Sequence, residues 1–273
     1  METFTRDRMT FDVLDAGPVD GEAVVLLHGF PQDGTAYDRV VPLLADAGLR
    51  VLVPDQRGYS PQARPVHRSA YALGELVGDV LALLDAAGVR RAHVVGHDWG
   101  GGVAWALAGR HPDRVLSLTA LSTPHPAAMR DAMRRSDQAR RSSYMVLFQL
   151  PWLPEAALTA DDGARLRASL RRSGLPAPVV EHYTARMLEP GALRAALSWY
   201  RGLPWSAGTR AGRIDVPTVH LYGRRDPFFS LHCATATHEY VRGPFRSVGL
   251  DAGHWLPETE PQQVADALLS HLT

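Results

Sequence analysis

Residues 96–101 read Gly-His-Asp-Trp-Gly-Gly. The pattern small–x–nucleophile–x–small is that of a sharp strand-to-helix turn that lifts one side chain clear of a sheet. Here the lifted group is the carboxylate of Asp98, and small neighbours suit a backbone too tight for Cβ branches. A carboxylate in that position forms a covalent ester by alkylation, where a serine would be acylated. The chemistry expected is the opening of a carbon–oxygen or carbon–halogen bond. The flanks fit the turn: His93-Val94-Val95 is a short β-rich run, and Val103 to Ala108 are good helix formers leading to His111-Pro112.

Three further segments carry groups such an ester would need. His28-Gly29-Phe30-Pro31 follows the apolar run Ala23-Val24-Val25-Leu26-Leu27. A loop so placed supplies a backbone N–H to an oxyanion hole, here from Phe30, with the N–H of Trp99 as the second donor. In Tyr222-Gly223-Arg224-Arg225-Asp226-Pro227, Asp226 follows an apolar run and a glycine turn, which suits a carboxylate that orients a histidine. The same Asp-Pro pair is also a good helix start. In Asp251-Ala252-Gly253-His254-Trp255-Leu256-Pro257-Glu258, His254 stands in a loop before the last helix. Context selects it from the 12 histidines of the chain. Asp251 competes as its partner but ranks below Asp226, being close in sequence and before the turn.

The elements that must position these groups are legible as periodicities. Ala23–Leu27, Val51–Val53, Val115–Leu121 and Thr218–Tyr222 are apolar without alternation, as in strands covered on both faces. Leu73, Leu76, Val77, Val80, Leu81 and Leu84 recur at helical spacing, and Gly88 marks a stop. Pro261 starts a final helix with Val264, Leu268 and Leu272 on one face. Such alternation predicts an α/β fold: a mostly parallel sheet with helices on both faces. From about residue 125 to 209 the rhythm becomes helical only, broken by Pro151, Pro154, Pro176, Pro178 and Pro190. This stretch is expected to be an inserted helical cap over the sheet's carboxyl edge, where α/β sheets bind ligands. The core is then 1–124 and 210–273, and the cap 125–209. The arginines at 130, 134, 135, 140 and 141, interleaved with Asp131 and Asp137, are expected to form a solvated helix face.

A chain of 273 residues, 45% hydrophobic, can bury a sizeable core as one α/β unit. Its 29 basic and 29 acidic residues cancel, so no bulk charge draws it to nucleic acid or an anionic membrane. Cys233 is the only cysteine, which excludes an intrachain disulfide and a zinc–cysteine cluster. No apolar signal segment or spanning run is present, and a cytoplasmic setting is expected. The oligomeric state stays open, a homodimer among the options.

The segments at 28–31, 96–101 and 253–255, together with Asp55-Gln56-Arg57-Gly58-Tyr59-Ser60, resemble the soluble epoxide hydrolases of the α/β-hydrolase fold over nearly the whole chain. The order nucleophile, acid, histidine is also that of α/β-hydrolases. In that family two cap tyrosines hold the epoxide oxygen. Tyr144-Met145-Val146-Leu147-Phe148-Gln149 resembles the first tyrosine motif and Ser198-Trp199-Tyr200-Arg201 the second, which implies those roles for Tyr144 and Tyr200. Tyr183 has no such match. Two departures stand out: Gln32 where many members carry an acid, and Ser60 where glycine is frequent.

The resemblance implies conversion of a small apolar epoxide to a vicinal diol without metal or organic cofactor. The expected pocket is built by Phe30, Pro31, Trp99, Phe148 and Trp199, with Trp152, Trp205, Met145 and Met187 as further apolar residues of the cap. A haloalkane or haloacid dehalogenase would use the same aspartate, and Trp99 is the kind of donor some dehalogenases use beside the nucleophile, but Phe30 has no side-chain donor where haloalkane dehalogenases resemble one another in carrying asparagine. A non-catalytic ligand-binding α/β-hydrolase is a third reading. A serine esterase is disfavoured, because no Gly-x-Ser-x-Gly is present.

Overall fold

The computed structural model describes residues 1–272. Eight strands form one sheet: β1 (Thr3–Arg6), β2 (Met9–Ala16), β3 (Ala23–Leu27), β4 (Arg50–Pro54), β5 (Ala92–His97), β6 (Val115–Leu121), β7 (Thr218–Gly223) and β8 (Phe245–Leu250). Their order is β1-β2-β4-β3-β5-β6-β7-β8. The first two pairings are antiparallel and the rest parallel.

The unbroken apolar character of the inner strands has a direct cause. Successive side chains of a strand point to opposite faces, and here both faces are covered. Val25, Leu27 and Val94 face a core closed by the helices Leu73–Ala86 and Trp99–Arg110. Val24, Leu26 and Val95 face a second core closed by Val41–Asp46 and Pro261–Leu272. Each such side chain, fully buried, contributes about 1.5–3 kcal/mol. The helix from Leu73 ends at Ala86, and Gly88 follows in the left-handed region at φ 68°.

Between β6 and β7 the chain has helices and no strand. Pro126–Arg135, Gln138–Arg141 and Tyr144–Leu147 come first, then Leu153–Arg172, Ala177–Leu188 and Ala192–Arg201. The Leu153–Arg172 stretch is two helices meeting at a kink, where Asp161, Asp162 and Gly163 take left-handed backbone. The arginine-rich helices pair with their own aspartates, Arg135 with Asp131 and Arg140 and Arg141 with Asp137. Among the described residues no helix is long and apolar enough to cross a membrane. The loops that leave β3, β5, β7 and β8 all emerge at the carboxyl edge of the sheet, and they carry Phe30, Asp98, Asp226 and His254.

Candidate active site

Asp98 sits between β5 and the helix Trp99–Arg110 with φ 51° and ψ −119°. Its glycines are sterically required. A Cβ on Gly96 would strike the Gly100 carbonyl, and one on Gly100 would strike the carbonyl of Leu27. A strained non-glycine residue persists only where its surroundings over-determine it. Thr123, just past β6, supplies part of that hold: its Oγ–H donates to the Asp98 carbonyl at 2.8 Å.

The Phe30 N–H donates to Asp98 Oδ1 at 2.9 Å. His254 Nε2 faces the other oxygen, Oδ2, at 3.7 Å, too long for a direct hydrogen bond. On its far side His254 Nδ1 donates to Asp226 Oδ2 at 2.8 Å. Asp226 Oδ1 accepts the N–H groups of Phe228 and Phe229 at 2.7 and 3.0 Å, so each oxygen has a separate task. Asp251 lies at the surface and pairs with Arg225, away from His254. The His254 carbonyl accepts Ser122 Oγ–H at 2.6 Å, and His97 Nε2 lies 2.9 Å from it.

Tyr200 is buried and Tyr144 half-buried. Their rings stand 6.1 Å apart at 75°. Phe148 packs edge-on against both, while Phe30 and Trp99 pack on Tyr200. Two cavities meet here, sharing Asp98, Tyr144, Tyr200 and Phe228 in their walls. The smaller, about 180 Å³, adds Phe30, Pro31, Phe148, His254 and Trp255. The larger, about 460 Å³, adds Trp99, Met129, Met133, Met145 and Phe229.

Burial pushes the Asp98 carboxyl upward, opposed by His254 and by the backbone N–H groups of Phe30 and Trp99. Burial works against a charged His254, yet the Asp226 carboxylate, with Asp98 in support, holds its pKa above the ordinary 6.5. Burial, with Asp98 and the neighbouring phenol, raises Tyr200 well above the usual tyrosine range. Burial and the Asp98 charge raise Tyr144 too. Both phenols therefore keep their protons over the neutral range. The arrangement brings a carboxylate, a histidine oriented by a second carboxylate, and two phenol hydroxyls together at the junction of the two cavities.

One expected pocket residue is corrected. Trp199 lines neither cavity: its Nε1–H donates to the Arg57 carbonyl at 2.7 Å, and its ring packs between Tyr59 and Trp99 in the core. Of the other apolar residues considered, Met145 lines the larger cavity, Met187 is buried elsewhere, and Trp152 and Trp205 are exposed. The pocket reading missed Phe228, Phe229 and Trp255, although two aromatics directly after Asp226-Pro227 and one beside His254 were a readable signal. Ser122 and Thr123 carried only the weak signal of a polar pair after β6.

The two departures from the family pattern have local causes. Gln32 Oε1 accepts the Gly29 N–H at 2.7 Å, and its Nε2–H donates to Glu258 Oε1, which also accepts Tyr183 O–H. A carboxylate at position 32 could not donate to Glu258, so the amide suits its buried neighbour. Ser60 Oγ–H donates to the Asp55 carbonyl and accepts the Asp12 N–H, tying β2 to the loop after β4.

A family model for the alpha/beta hydrolase fold matches residues 22–261. The chain is 35% identical over 270 residues to the AB hydrolase superfamily protein YfhM of Bacillus subtilis, covering 97% of this chain and 94% of that one. It is 35% identical over 303 residues to Epoxide hydrolase A of Mycobacterium tuberculosis, covering 96% and 93%. A solved variant of an epoxide hydrolase from Bacillus megaterium, bound to its naphthyloxy-propane-diol product, superposes with a TM-score of 0.87 at 25% identity, covering 99% of each chain.

Proposed function

The chain belongs to the alpha/beta hydrolase fold family as an epoxide hydrolase, and from that premise we propose that it turns an apolar epoxide into a vicinal diol through a covalent ester on Asp98. One observation carries the reading. A single carboxylate has one oxygen on a backbone N–H and the other facing a histidine, under two phenols. The helical segment 125–209 acts as a cap on a core of 1–124 and 210–273, and it brings both phenols.

Asp98 Oδ2 attacks a ring carbon while the carbon–oxygen bond opens on the opposite side. Tyr144 and Tyr200 stabilise the charge arriving on the departing oxygen, and one of them gives it a proton. Esterification removes the Asp98 charge, and with it one cause that holds the His254 imidazolium. Neutral His254, aligned by Asp226, then takes a proton from water. The hydroxide attacks the ester carbonyl carbon, and the Phe30 and Trp99 N–H groups hold the oxyanion in the place where Oδ1 already rests. Collapse expels the diol, whose oxygen takes the proton of the new carboxyl group and leaves the carboxylate, and the proton held by His254 returns to the phenol that gave one up. Halide release finds less support, because the phenyl of Phe30 offers no donor and, beside the Trp99 indole, two phenol hydroxyls line the cavities.

The reaction class is tested by supplying matched epoxides and haloalkanes and measuring diol against halide. Diol from the epoxide is expected; halide release alone would overturn the reading. Tyr144→Phe and Tyr200→Phe should each slow ring opening by roughly 10²–10⁴-fold in single-turnover kinetics, the scale of a general-acid contact. If both kept full activity, the phenols would have no part in the reaction.

The pH dependence has a definite sign. The base form of His254 is neutral, so ester hydrolysis should fall as pH drops through the raised His254 value. Asp226→Asn removes the main upward cause, so its acid limb should move to lower pH while the plateau rate falls. The check is the pH profile of ester breakdown in the two proteins; a limb that stays in place would separate Asp226 from the base.

A further inference from the structure

Gln138 lies in the short helix Gln138–Arg141, outside the walls of both cavities. Its side chain is fully buried, and its carboxamide is spent on the loop that presents Asp226. Nε2–H donates to the Phe228 carbonyl at 2.8 Å and to Ser142 Oγ at 2.9 Å. Oε1 accepts the Ser230 N–H at 2.8 Å. One neutral carboxamide thus bridges a carbonyl and an N–H two residues apart, from a segment that precedes them in sequence by about ninety residues. Three residues on in the same helix, Arg141 donates to the Asp226 carbonyl itself at 2.8 Å.

These bonds matter because, beside a Ser136 Oγ–Ser230 Oγ contact at 3.3 Å and the bond to His254, the loop between 226 and 230 is held from within. Asp226 Oδ1 gathers the N–H groups of Phe228 and Phe229, and this sets the aim of Oδ2 at His254 Nδ1. The Phe228 ring also stands edge-on to the imidazole with centroids 4.8 Å apart. Without the carboxamide, the buried Ser230 N–H and the part-buried Phe228 carbonyl lose their partners. A loop in that state shifts to find one.

Resting on the covalent-ester reading above, we propose that Gln138 is a positioning residue by which the helical segment holds the Asp226 loop, so that the acid–histidine pair is aligned only while that segment is seated on the core. The tether acts on ester hydrolysis and not on alkylation, because ring opening uses Asp98 and the phenols while breakdown uses the oriented imidazole. It gives the segment control over the second half-reaction: displacement that opens the cavity also relaxes the base.

The test uses the whole chain with Gln138→Ala and the near-isosteric Gln138→Glu, which loses both donated bonds. Arg141→Ala, at a partly exposed position, serves as a milder variant that keeps the buried carboxamide. Ester formation and ester breakdown are followed separately under single-turnover conditions across pH. The Gln138 variants should form ester at the wild-type rate and hydrolyse it more slowly, by up to roughly 10²-fold, the scale of a 1 Å misplacement of a catalytic group. Their acid limb should move to lower pH, since a displaced Asp226 no longer sustains the imidazolium. Arg141→Ala should shift both quantities in the same direction by less. Equal slowing of both steps, or unchanged breakdown and pH midpoint in the folded variants, would overturn the tether. A wild-type protein that forms no ester on Asp98 would instead bring down the covalent reading and the tether with it.

Discussion

Asp98→Ala is expected to end turnover, lowering kcat by on the order of 10⁴-fold or more, the scale of losing a covalent nucleophile. That equals about 5.4 kcal/mol of lost transition-state stabilisation. The size follows from the surroundings of the carboxylate. Among the described residues, Asp98 is the only acid in the wall of either cavity. Asp226 cannot replace it, because both its oxygens are bound to His254 and to its own loop. The fold should survive the change. The charged form of Asp98 is disfavoured by burial, and its backbone is strained at φ 51° whichever side chain it carries. Functional groups held this way generally cost stability, so the melting temperature should be unchanged or higher. Diol formation and a thermal melt on the same preparation provide the check; activity within tenfold of wild type would remove Asp98 from the mechanism.

His254→Gln separates the two half-reactions. Alkylation needs only the carboxylate and the phenols, so ester should still form, at a stoichiometry of one per chain. Breakdown should slow by roughly 10²–10⁴-fold, the usual value of a general base. Glutamine fills much of the imidazole's space and removes its titration. The expected trace is a burst followed by a very slow steady state, with the adduct recovered on the peptide that contains Asp98. An adduct on another residue would falsify the assignment of the nucleophile.

The legible part of this molecule is the part whose physics is local. The inner strands betray themselves because both faces are buried and no polar alternation is needed, as in β3 and β4. Asp98 and Asp226 are legible because each follows such a strand at a turn, and His254 because it stands in the loop just before the last helices. β8 is hidden: it is an edge strand whose Arg246 and Ser247 are exposed, so no apolar run marks it. The kink at Asp161-Asp162-Gly163 carries a turn signal inside an otherwise helical pattern. Trp199 shows the limit of motif matching. It sits next to Tyr200, but adjacent residues on a helix diverge by about 100°, so the phenol faces the cavities while the indole faces Tyr59. Gln138 had no signal at all, because its partners in the Asp226 loop lie about ninety residues away.

The origin of the new oxygen in the diol tests the central claim most directly. With enzyme in excess over epoxide, a single turnover in water enriched in ¹⁸O should give diol with no heavy oxygen and enzyme with one ¹⁸O in the Asp98 carboxylate. The carbon–oxygen bond made by Asp98 Oδ2 survives into the product, and water replaces that oxygen on the protein. Heavy oxygen in the first-turnover diol, with none on Asp98, would mean that water attacks the epoxide itself and that no ester is formed.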